Sequence, residues 1–222
     1  MVSLADLIDV TALPPAWRSL AQVERPWDVL DRMDALLAQL QPELAGDVHP
    51  SAIIEGPVRI EAGARVGPHA YVRGPAWLMA GAEIGHGAHA RGGVLMAAGA
   101  TLGHASEAKR AVLLGDAKAP HFNYVGDSLL GHRVNLGAGV KLANLKAIAG
   151  TVQVLGVDTG LRKLGALLGD DVSIGCNAVL APGTVIGRQS VIYQNASVRG
   201  VVPPRTLVKV YLSTELTPLR PG

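Results

Sequence analysis

The sequence is poor in aromatic residues, cysteine and charge, and each shortage excludes a class of protein. Its 222 residues include one Phe, four Tyr and three Trp, which is too few rings for a core of large interlocking side chains. The single cysteine, Cys176, excludes an internal disulfide and a zinc site built from several cysteines. Apolar residues make up 49% and charged residues 17%, so the composition is that of a folded chain rather than a disordered one.

Long apolar runs and concentrated basic charge are also missing. No stretch approaches the roughly 20 uninterrupted apolar residues of a membrane helix, so we expect no membrane partner. The N-terminus lacks the basic segment of a signal peptide and carries Asp6 and Asp9, which favours a cytoplasmic location. The net charge of +2 is far from the basicity of a nucleic-acid-binding protein, so we expect no nucleic acid partner.

Glycine, in contrast, is abundant, with 27 residues, and the sequence repeats every six positions. Counting in sixes from Val48 meets an aliphatic residue or alanine at every step up to Leu114: Ile54, Ile60, Val66, Val72, Leu78, Ile84, Ala90, Met96, Leu102 and Ala108. The residue four positions after each is small or β-branched except at Lys118. The period resumes at Leu130, and again from Leu168 to Val198. A fixed period of this kind indicates a repeat architecture.

Six residues per side and three sides per coil predict an all-β fold, the left-handed parallel β-helix with triangular coils of 18 residues. Aliphatic side chains stack inside a narrow prism, and only small residues fit beside them, which accounts for the shortage of aromatic rings. Each coil buries its inner face only against its neighbours, so the ends need caps and the lateral surface is available for association.

The sequence divides into three parts. Residues 1–46 are predicted to form an N-terminal helical cap, because apolar residues recur at helical spacing after Pro26. Residues 47–202 are predicted to form the β-helix, and residues 203–222 a C-terminal tail.

The period lapses twice, and repeat proteins often place binding chemistry where a loop interrupts a coil. The step from Leu114 to Leu130 is neither 12 nor 18 residues, which predicts an excursion near residues 120–127. A second excursion is predicted near residues 145–165, where Val152, Val154 and Val157 alternate with polar residues.

An 18-residue coil places residues 18 apart on neighbouring rungs, about 4.8 Å from each other. Arg73, Arg91 and Lys109 therefore form a basic column, and Tyr71, His89 and Glu107 a second column beside it. Three cations at this spacing repel unless an anion lies between them, so the basic column predicts a phosphate or carboxylate site. The alternative is a solvated column that Glu107 or Glu55 neutralises.

The histidines raise two alternatives. His86 and His104 are one coil apart and could join a third histidine of a neighbouring subunit around a metal, as in gamma-class carbonic anhydrases. Those enzymes pair two histidines five residues apart, and no pair here has that spacing. His121 lies in the first break of the period, where an imidazole that titrates near neutrality can accept a proton from an attacking amine.

A family pattern lies between Glu107 and Asn144. It contains His121-x-x-Tyr-x-Gly-Asp and Val-Asn-x-Gly-Ala-Gly, and it resembles the acetyltransferase half of the bifunctional enzyme that makes UDP-N-acetylglucosamine. Weaker similarity extends from about Val48 to Val202. The later segment Asp158-Thr-Gly-Leu-Arg-Lys-Leu-Gly-Ala is similar to the variant that is fused to sugar-phosphate nucleotidylyltransferases.

The resemblance implies an acetyl transfer from acetyl-CoA, the cosubstrate, to the amine of a glucosamine 1-phosphate-like acceptor. It implies no metal for this step, and a homotrimer with acetyl-CoA between neighbouring prisms. By position, His121 resembles the general base, and Glu107 would orient its imidazole.

The resemblance also assigns the binding residues. Arg91 and Lys109 match the positions that hold the sugar phosphate, with Arg73 as an alternative to Arg91 because of its local context Tyr-Val-Arg-Gly-Pro. Tyr124 and Asn135 match sugar-contacting positions. The positions that contact acetyl-CoA in the family are Ala138, Asn144 and Cys176 here, and Cys176 can also be read as a small packed thiol. The family has a lysine shortly after Asn144, for which Lys146, Arg162 and Lys163 are candidates.

The chain departs from the family in lacking a nucleotidylyltransferase domain and its Gly-rich nucleotide loop. We therefore expect no nucleotidylyltransferase activity, and a separate nucleotidylyltransferase is a candidate partner. The acceptor could be another amino-sugar phosphate or a sugar nucleotide. The alternative function is a scaffold or regulatory β-helix protein that binds a sugar nucleotide or acetyl-CoA without turnover.

Overall fold

The computed structural model describes residues 2–211 and 213–218. Its regular structure consists mainly of short strands that pair in parallel with the strand one coil away. The strands form three faces around one core over about nine turns, so the chain is a left-handed parallel β-helix, as the six-residue period predicts.

Each face is a ladder of parallel strands, and we call one strand position a rung. Face 1 comprises Glu43–Leu44, Val58–Ile60, Ala76–Leu78, Val94–Met96, the second halves of Glu107–Leu113 and Tyr124–Leu130, Ala166–Leu168, Thr184–Ile186 and Val201–Val202. Face 2 comprises Asp47–Val48, Arg65–Val66, Glu83–Ile84, Thr101–His104, Lys118–His121, Asn135–Leu136, Ser173–Ile174, Val191–Ile192 and Leu207–Val208. Face 3 comprises Ile53–Glu55, Tyr71–Arg73, His89–Arg91, the first halves of Glu107–Leu113 and Tyr124–Leu130, Lys141–Leu142, Val179–Leu180 and Ser197–Val198.

The core of the prism consists of stacked aliphatic side chains with alanine and valine between them. On face 1, for example, Ile60, Leu78 and Met96 are register partners on successive rungs, and all three are fully buried. Each such side chain contributes about 1.5–3 kcal/mol through the apolar surface that it removes from water. No aromatic residue belongs to this cluster, which agrees with the narrow interior that the composition predicts.

The six-residue count is wrong by one position after Lys109. Met96 pairs with Leu113, not with Leu114, and Leu113 pairs with Leu130, so these two coils have 17 residues instead of 18. The missing residue comes from the corner between faces 3 and 1, where Arg110 alone turns the chain with a φ of 47°. The shift also explains the exception at Lys118, because the buried small residue at that place is Ala117.

The excursion predicted near residues 120–127 is absent from this fold. Lys118–His121 is a regular strand of face 2, where Lys118 pairs with Thr101 and His121 with His104. Tyr124–Leu130 then continues the prism in register with Glu107–Leu113. The irregular step in the sequence therefore reflects two shortened coils, and no loop leaves the prism here.

Within the described residues, the prism has one excursion, between Lys141–Leu142 on face 3 and Ala166–Leu168 on face 1. This excursion contains a two-stranded antiparallel hairpin, Gln153–Val154 with Val157–Asp158. Val152 and Val154 are buried against the N-terminal segment and face 1. The hairpin therefore packs on the prism and does not extend away from it.

The N-terminal segment lies along face 1 and not over the end of the prism as a cap. It contains α1 (Leu4–Leu7), α2 (Val29–Leu37) and the 3-10 helices Val10–Ala12, Pro15–Ala21 and Pro26–Asp28. Ser3 caps α1 by accepting the N–H of Asp6. The helices pack through a second apolar cluster whose fully buried residues include Trp17 and Leu30, together with Leu95, Val112 and Leu129 of face 1. Among the described residues, the buried tryptophans Trp17 and Trp27 both belong to this segment.

The boundaries of the prism are wider than predicted. Its first strand is Glu43–Leu44 and its last is Leu207–Val208, so the prism extends beyond residues 47–202. Residue 1 of the predicted cap, and residues 212 and 219–222 of the predicted tail, lie outside the described residues. Within the described part, no helix has the length and apolar character needed to cross a membrane.

Candidate active site

The turn between faces 2 and 3, which we call corner 2/3, aligns several residues singled out from the sequence. Successive coils are joined here by backbone hydrogen bonds from Phe122 to His104 (3.0 Å), from Gly139 to His121 (2.9 Å), from Asn177 to Ala138 (2.8 Å) and from Asn195 to Cys176 (2.9 Å). In each bond the N–H of one coil donates to the carbonyl oxygen of the coil before. His104, His121, Ala138 and Cys176 therefore occupy one position on four successive rungs, about 4.8 Å apart.

His121 is exposed, but its backbone is held on both sides. Its N–H donates to Oδ1 of Asn123 (3.0 Å), and Nδ2 of Asn123 donates to the carbonyl oxygen of Gly137 (2.8 Å). Asn123 is itself buried, and its N–H donates to Oγ of Ser106 on the preceding coil (3.0 Å). The imidazole thus stands on a fixed main chain and faces outward.

The histidines of the preceding coils form a stack. The rings of His86 and His104 are parallel, with centroids 5.1 Å apart. Nδ1 of His86 lies 3.0 Å from the carbonyl oxygen of Pro68, and Nδ1 of His104 lies 3.1 Å from that of His86, so both nitrogens donate. Among the described residues, no group of three or more His, Cys, Asp or Glu side chains has a geometry that could hold a metal ion.

The basic column lies on face 3. Arg73 pairs in register with Arg91, and Lys109 follows Ala108, the partner of Ala90, at the same place on the next rung. Nη1 of Arg91 lies 2.7 Å from Oε1 of Glu107, and this hydrogen bond raises the pKa of the Arg91 guanidinium. Arg73 is exposed and has no carboxylate partner within the described residues. One member of the column is thus neutralised by Glu107, as the alternative interpretation required, while Arg73 is not.

Glu107 has a different partner from the one expected. The sequence assigns it to the imidazole of His121, but its carboxylate accepts the hydrogen bond of Arg91. Glu107 is the register partner of His89 and Tyr124 on face 3, whereas His121 ends a strand of face 2. The two residues therefore lie on different faces of the prism.

A second cluster occupies the turn between faces 3 and 1, which we call corner 3/1. Asp127 is buried there, and its two carboxylate oxygens lie 3.0 and 3.2 Å from Nζ of Lys109. Nδ2 of the buried Asn144 donates to the same carboxylate. Lys109 and Asn144, which the family resemblance assigns to the phosphate and to acetyl-CoA, are therefore bridged by one carboxylate to which the sequence analysis gave no role.

Tyr124 and Gly126 complete this cluster. A Cβ on Gly126 would lie 2.6 Å from Nδ2 of Asn144 and 2.8 Å from the hydroxyl of Tyr124, so only glycine leaves room for both side chains. Burial raises the pKa of the Tyr124 hydroxyl, and a hydrogen bond from Asn144 opposes the shift. The motif Tyr-x-Gly-Asp thus has a structural meaning: the glycine provides space, and the aspartate holds the neighbouring polar groups.

The excursion returns to the prism beside this cluster. The N–H of Leu164 donates to the carbonyl oxygen of Asn144 (3.0 Å), and that of Gly165 to the carbonyl oxygen of Asp127 (2.8 Å). A cleft of about 650 Å³ opens here, and its lining residues are Arg110, Asp127, Leu145, Leu161, Arg162 and Lys163. Arg162 and Lys163 are exposed and have no carboxylate partner in the described segments.

Lys146, the other candidate for the family lysine, turns elsewhere. Its Nζ donates to the carbonyl oxygen of Thr151 (3.0 Å) inside the excursion. The structure therefore brings Lys163, but not Lys146, to the cleft beside Asp127.

Asn135 and Cys176 are both exposed, on neighbouring rungs. Asn135 lies on face 2 between Lys118 and Ser173, so it is not part of the cluster around Tyr124. Cys176 is a free thiol at corner 2/3, which does not agree with the reading as a packed thiol.

Comparisons with known proteins agree with the repeat and with the family pattern. The family described as "Bacterial transferase hexapeptide (six repeats)" matches residues 165–200. The bifunctional protein GlmU of Methanococcus vannielii is 35% identical over 179 residues, which are 79% of this chain and 43% of that protein. The bifunctional sugar-1-phosphate nucleotidylyltransferase/acetyltransferase of Sulfurisphaera tokodaii is 42% identical over 86 residues, which are 37% of this chain and 21% of that protein.

The chain spans less than half the length of these relatives. Among solved structures, the UDP-N-acetylglucosamine acyltransferase of Francisella novicida aligns with a TM-score of 0.44 at 14% identity, over 76% of this chain and 62% of that one. The period, the fold and the relatives together identify the chain as a hexapeptide-repeat β-helix protein that resembles the acetyltransferase part of the bifunctional GlmU proteins.

Proposed function

We propose that this protein transfers the acetyl group of acetyl-CoA to the amine of an amino-sugar 1-phosphate, with His121 as the general base. One observation carries most of the proposal. His121 stands at one end of a turn whose other end is Tyr124, so the exposed imidazole at corner 2/3 and the polar cluster at corner 3/1 lie on the two edges of the same rung of face 3.

In the proposed step, the amine nitrogen of the sugar attacks the carbonyl carbon of the thioester. A C–N bond forms and the C–S bond breaks, so the electron pair leaves with the sulfur of CoA. His121 takes the proton that the nitrogen loses and returns it to the thiolate, which leaves as CoA thiol. Such a base contributes about 10²–10⁴ in rate, and the fixed main chain around His121 supports the role by limiting the positions of its ring.

The phosphate of the acceptor would bind to Lys109 and Arg91 on face 3, or to Arg73 in place of Arg91, and to Lys163 beside that face. Arg91 and Lys109 already have carboxylate partners, whereas Arg73 and Lys163 have none within the described residues. A phosphate that joins this group would add charge-assisted hydrogen bonds, which are shorter and about twice as strong as neutral ones. Tyr124 would contact the sugar, and Asn135 would do so from face 2.

Acetyl-CoA would lie along corner 2/3 on the rungs after His121. Ala138 and Cys176 are the next two residues of that column, and their small side chains leave space for an extended pantetheine arm next to the imidazole. Asn144 would contact the same arm from corner 3/1. We further propose a homotrimer in which a neighbouring prism closes the second wall of this groove.

The test is release of CoA thiol from acetyl-CoA with glucosamine 1-phosphate, galactosamine 1-phosphate and UDP-amino sugars as separate acceptors. Turnover with an amino-sugar 1-phosphate supports the proposal, and turnover with UDP-amino sugars alone replaces the acceptor. Binding of acetyl-CoA in calorimetry without product from any amine would contradict the proposal and favour a non-catalytic scaffold instead.

A further inference from the structure

Asp127 is the most deeply buried carboxylate beside the proposed site. The residue is 1% exposed, and its oxygens interact with Nζ of Lys109 and with Nδ2 of Asn144. Lys109 is partly open to solvent, with 26% of its side chain exposed. The pair therefore has a buried anionic end and a solvent-facing cationic end.

A pair of this kind is a poor device for stability alone. The removal of a carboxylate from water costs several kcal/mol, and apolar residues of similar volume often do as well or better. The two side chains that Asp127 holds belong to different substrates in the proposed function, since Lys109 is assigned to the phosphate and Asn144 to acetyl-CoA. Its contacts thus span both halves of the site.

Lys109 also continues the basic column of Arg73 and Arg91. Arg91 has Glu107 as its carboxylate partner, and Lys109 has Asp127. Each of these two cations is therefore held in place by one carboxylate.

The backbone makes this placement possible. Asp127 alone turns the chain at corner 3/1 with a φ of 45°, a conformation in which Asp is tolerated better than most residues. Two coils earlier, the same corner consists of Gly92 and Gly93, which have no side chain. The 17-residue coil therefore places a carboxylate where an 18-residue coil has bare backbone.

We propose that Asp127 is a positioning residue for the acetyl transfer: it fixes the ammonium of Lys109 and the amide of Asn144 relative to each other, so that the ammonium is in place for the phosphate of the acceptor. This inference rests on the proposed function, which supplies the substrates. It assigns no contact between Asp127 and either substrate.

The experiment is a double-mutant cycle with Asp127→Asn and Lys109→Met, measured as kcat and KM for the amino-sugar 1-phosphate. We expect Asp127→Asn to raise KM for the phosphorylated acceptor about tenfold or more and to change kcat much less. In the Lys109→Met background the same substitution should have little further effect on KM, because the ammonium that it positions is gone. Asp116→Asn is the matched control, because Asp116 has a positive φ like Asp127 but is exposed to solvent.

A second readout does not depend on turnover. Lysines labelled by reductive ¹³C-methylation can be observed by NMR, with Lys109→Arg to assign the signal. At one fixed pH, we expect the Lys109 signal to move in Asp127→Asn, because the carboxylate that contacts Nζ is gone, and to stay in place in Asp116→Asn. If the wild type acetylates no amino-sugar phosphate, the proposed function fails, while these spectra still decide whether Asp127 holds Lys109.

Asp127→Glu covers the case in which the asparagine variant does not fold. Its carboxylate is retained but displaced by one methylene, so KM should rise and the Lys109 signal should move. An unchanged KM in either folded variant, an equal rise of KM with and without Lys109, or a Lys109 signal that does not move in Asp127→Asn would overturn the inference.

Discussion

His121 occupies the same position on its rung as His104 on the rung before, yet the two imidazoles have different neighbours. The ring of His104 stacks on His86 at 5.1 Å and meets the ring of Phe122 edge-on, also at 5.1 Å. Phe122, and not His121, thus continues the stack. His121 faces outward, and Ala138 and Cys176 follow it on the next two rungs of corner 2/3.

Replacement of His121 by alanine should abolish most of the activity. We expect kcat to fall by about 10²–10⁴, with KM for acetyl-CoA nearly unchanged, because the imidazole transfers a proton and holds neither substrate. Thiol release under saturating substrates measures the effect. His104→Ala is the matched control one rung away and should retain most of kcat; equal losses in the two variants would contradict a base specific to His121.

The cleft beside Asp127 predicts a difference between the lysines of the excursion. Lys163→Met should raise KM for the phosphorylated acceptor by about three- to tenfold, since a solvent-exposed cation contributes modestly to anion binding. Lys146→Met should leave KM unchanged, because Nζ of Lys146 bonds to the carbonyl oxygen of Thr151. The reverse order of effects in steady-state kinetics would assign the family lysine to Lys146.

Tyr124 should remain protonated throughout the neutral and mildly alkaline range. Burial raises the pKa of its hydroxyl above the ordinary value of 10.0, so the group loses its proton at higher pH than a free tyrosine and stays a hydrogen-bond donor below that value. The tyrosinate absorbance of the wild type minus that of Tyr124→Phe should therefore have a midpoint above pH 10.0. A midpoint at or below the ordinary value would show that solvent reaches the hydroxyl.

Arg110 should tie the N-terminal segment to the prism. Its guanidinium, 20% exposed, lies 2.6 Å from Asp31 and 2.7 Å from Asp34 of α2. Arg110→Met should lower the free energy of unfolding by about 1–2 kcal/mol and speed hydrogen exchange in Val29–Leu37. Arg65→Met, which removes an exposed pair with Glu83 at 3.3 Å, should cost less than about 0.5 kcal/mol in the same denaturant titration.

The prism could be predicted because its interior constrains volume at every sixth residue. Ile60, Leu78 and Met96 must fill the same space on successive rungs, so the repeat is visible in one sequence. The shift at Arg110 was hidden because Leu113 and Leu114 are both leucines, and either fits the count. The charged Lys118 at a small-residue position was the signal of the shift.

The place of the N-terminal segment was not predicted, because the sequence pattern of an amphipathic helix does not indicate which surface the helix covers. The relevant signal lies in the strands instead. Val94–Met96 and Ala166–Leu168 are buried at all three positions, whereas the strand Tyr71–Arg73 of face 3 alternates. Uninterrupted apolar strands on one face indicate that something covers it.

The candidate site was predicted in part. The positions of His121, Ala138 and Cys176 in one column follow from counting coils once the shortened coils are known. The partners of Lys109 and Glu107 do not, because the direction of a charged side chain depends on neighbours from other coils. The role of Asp127 was not predicted, because it depends on the burial of the carboxylate. The sequence of a turn does not indicate whether a side chain there is buried.

The number of residues in a coil determines which side chains lie at corner 3/1. At corner 3/1 an 18-residue coil spends two residues on the turn, as at Gly92 and Gly93, and a 17-residue coil spends one, Arg110 or Asp127. One of these side chains anchors a helix and the other lies under the candidate site. A single glycine inserted after either residue would restore an 18-residue coil, and we expect it to move that charged group away from its present partners without any substitution.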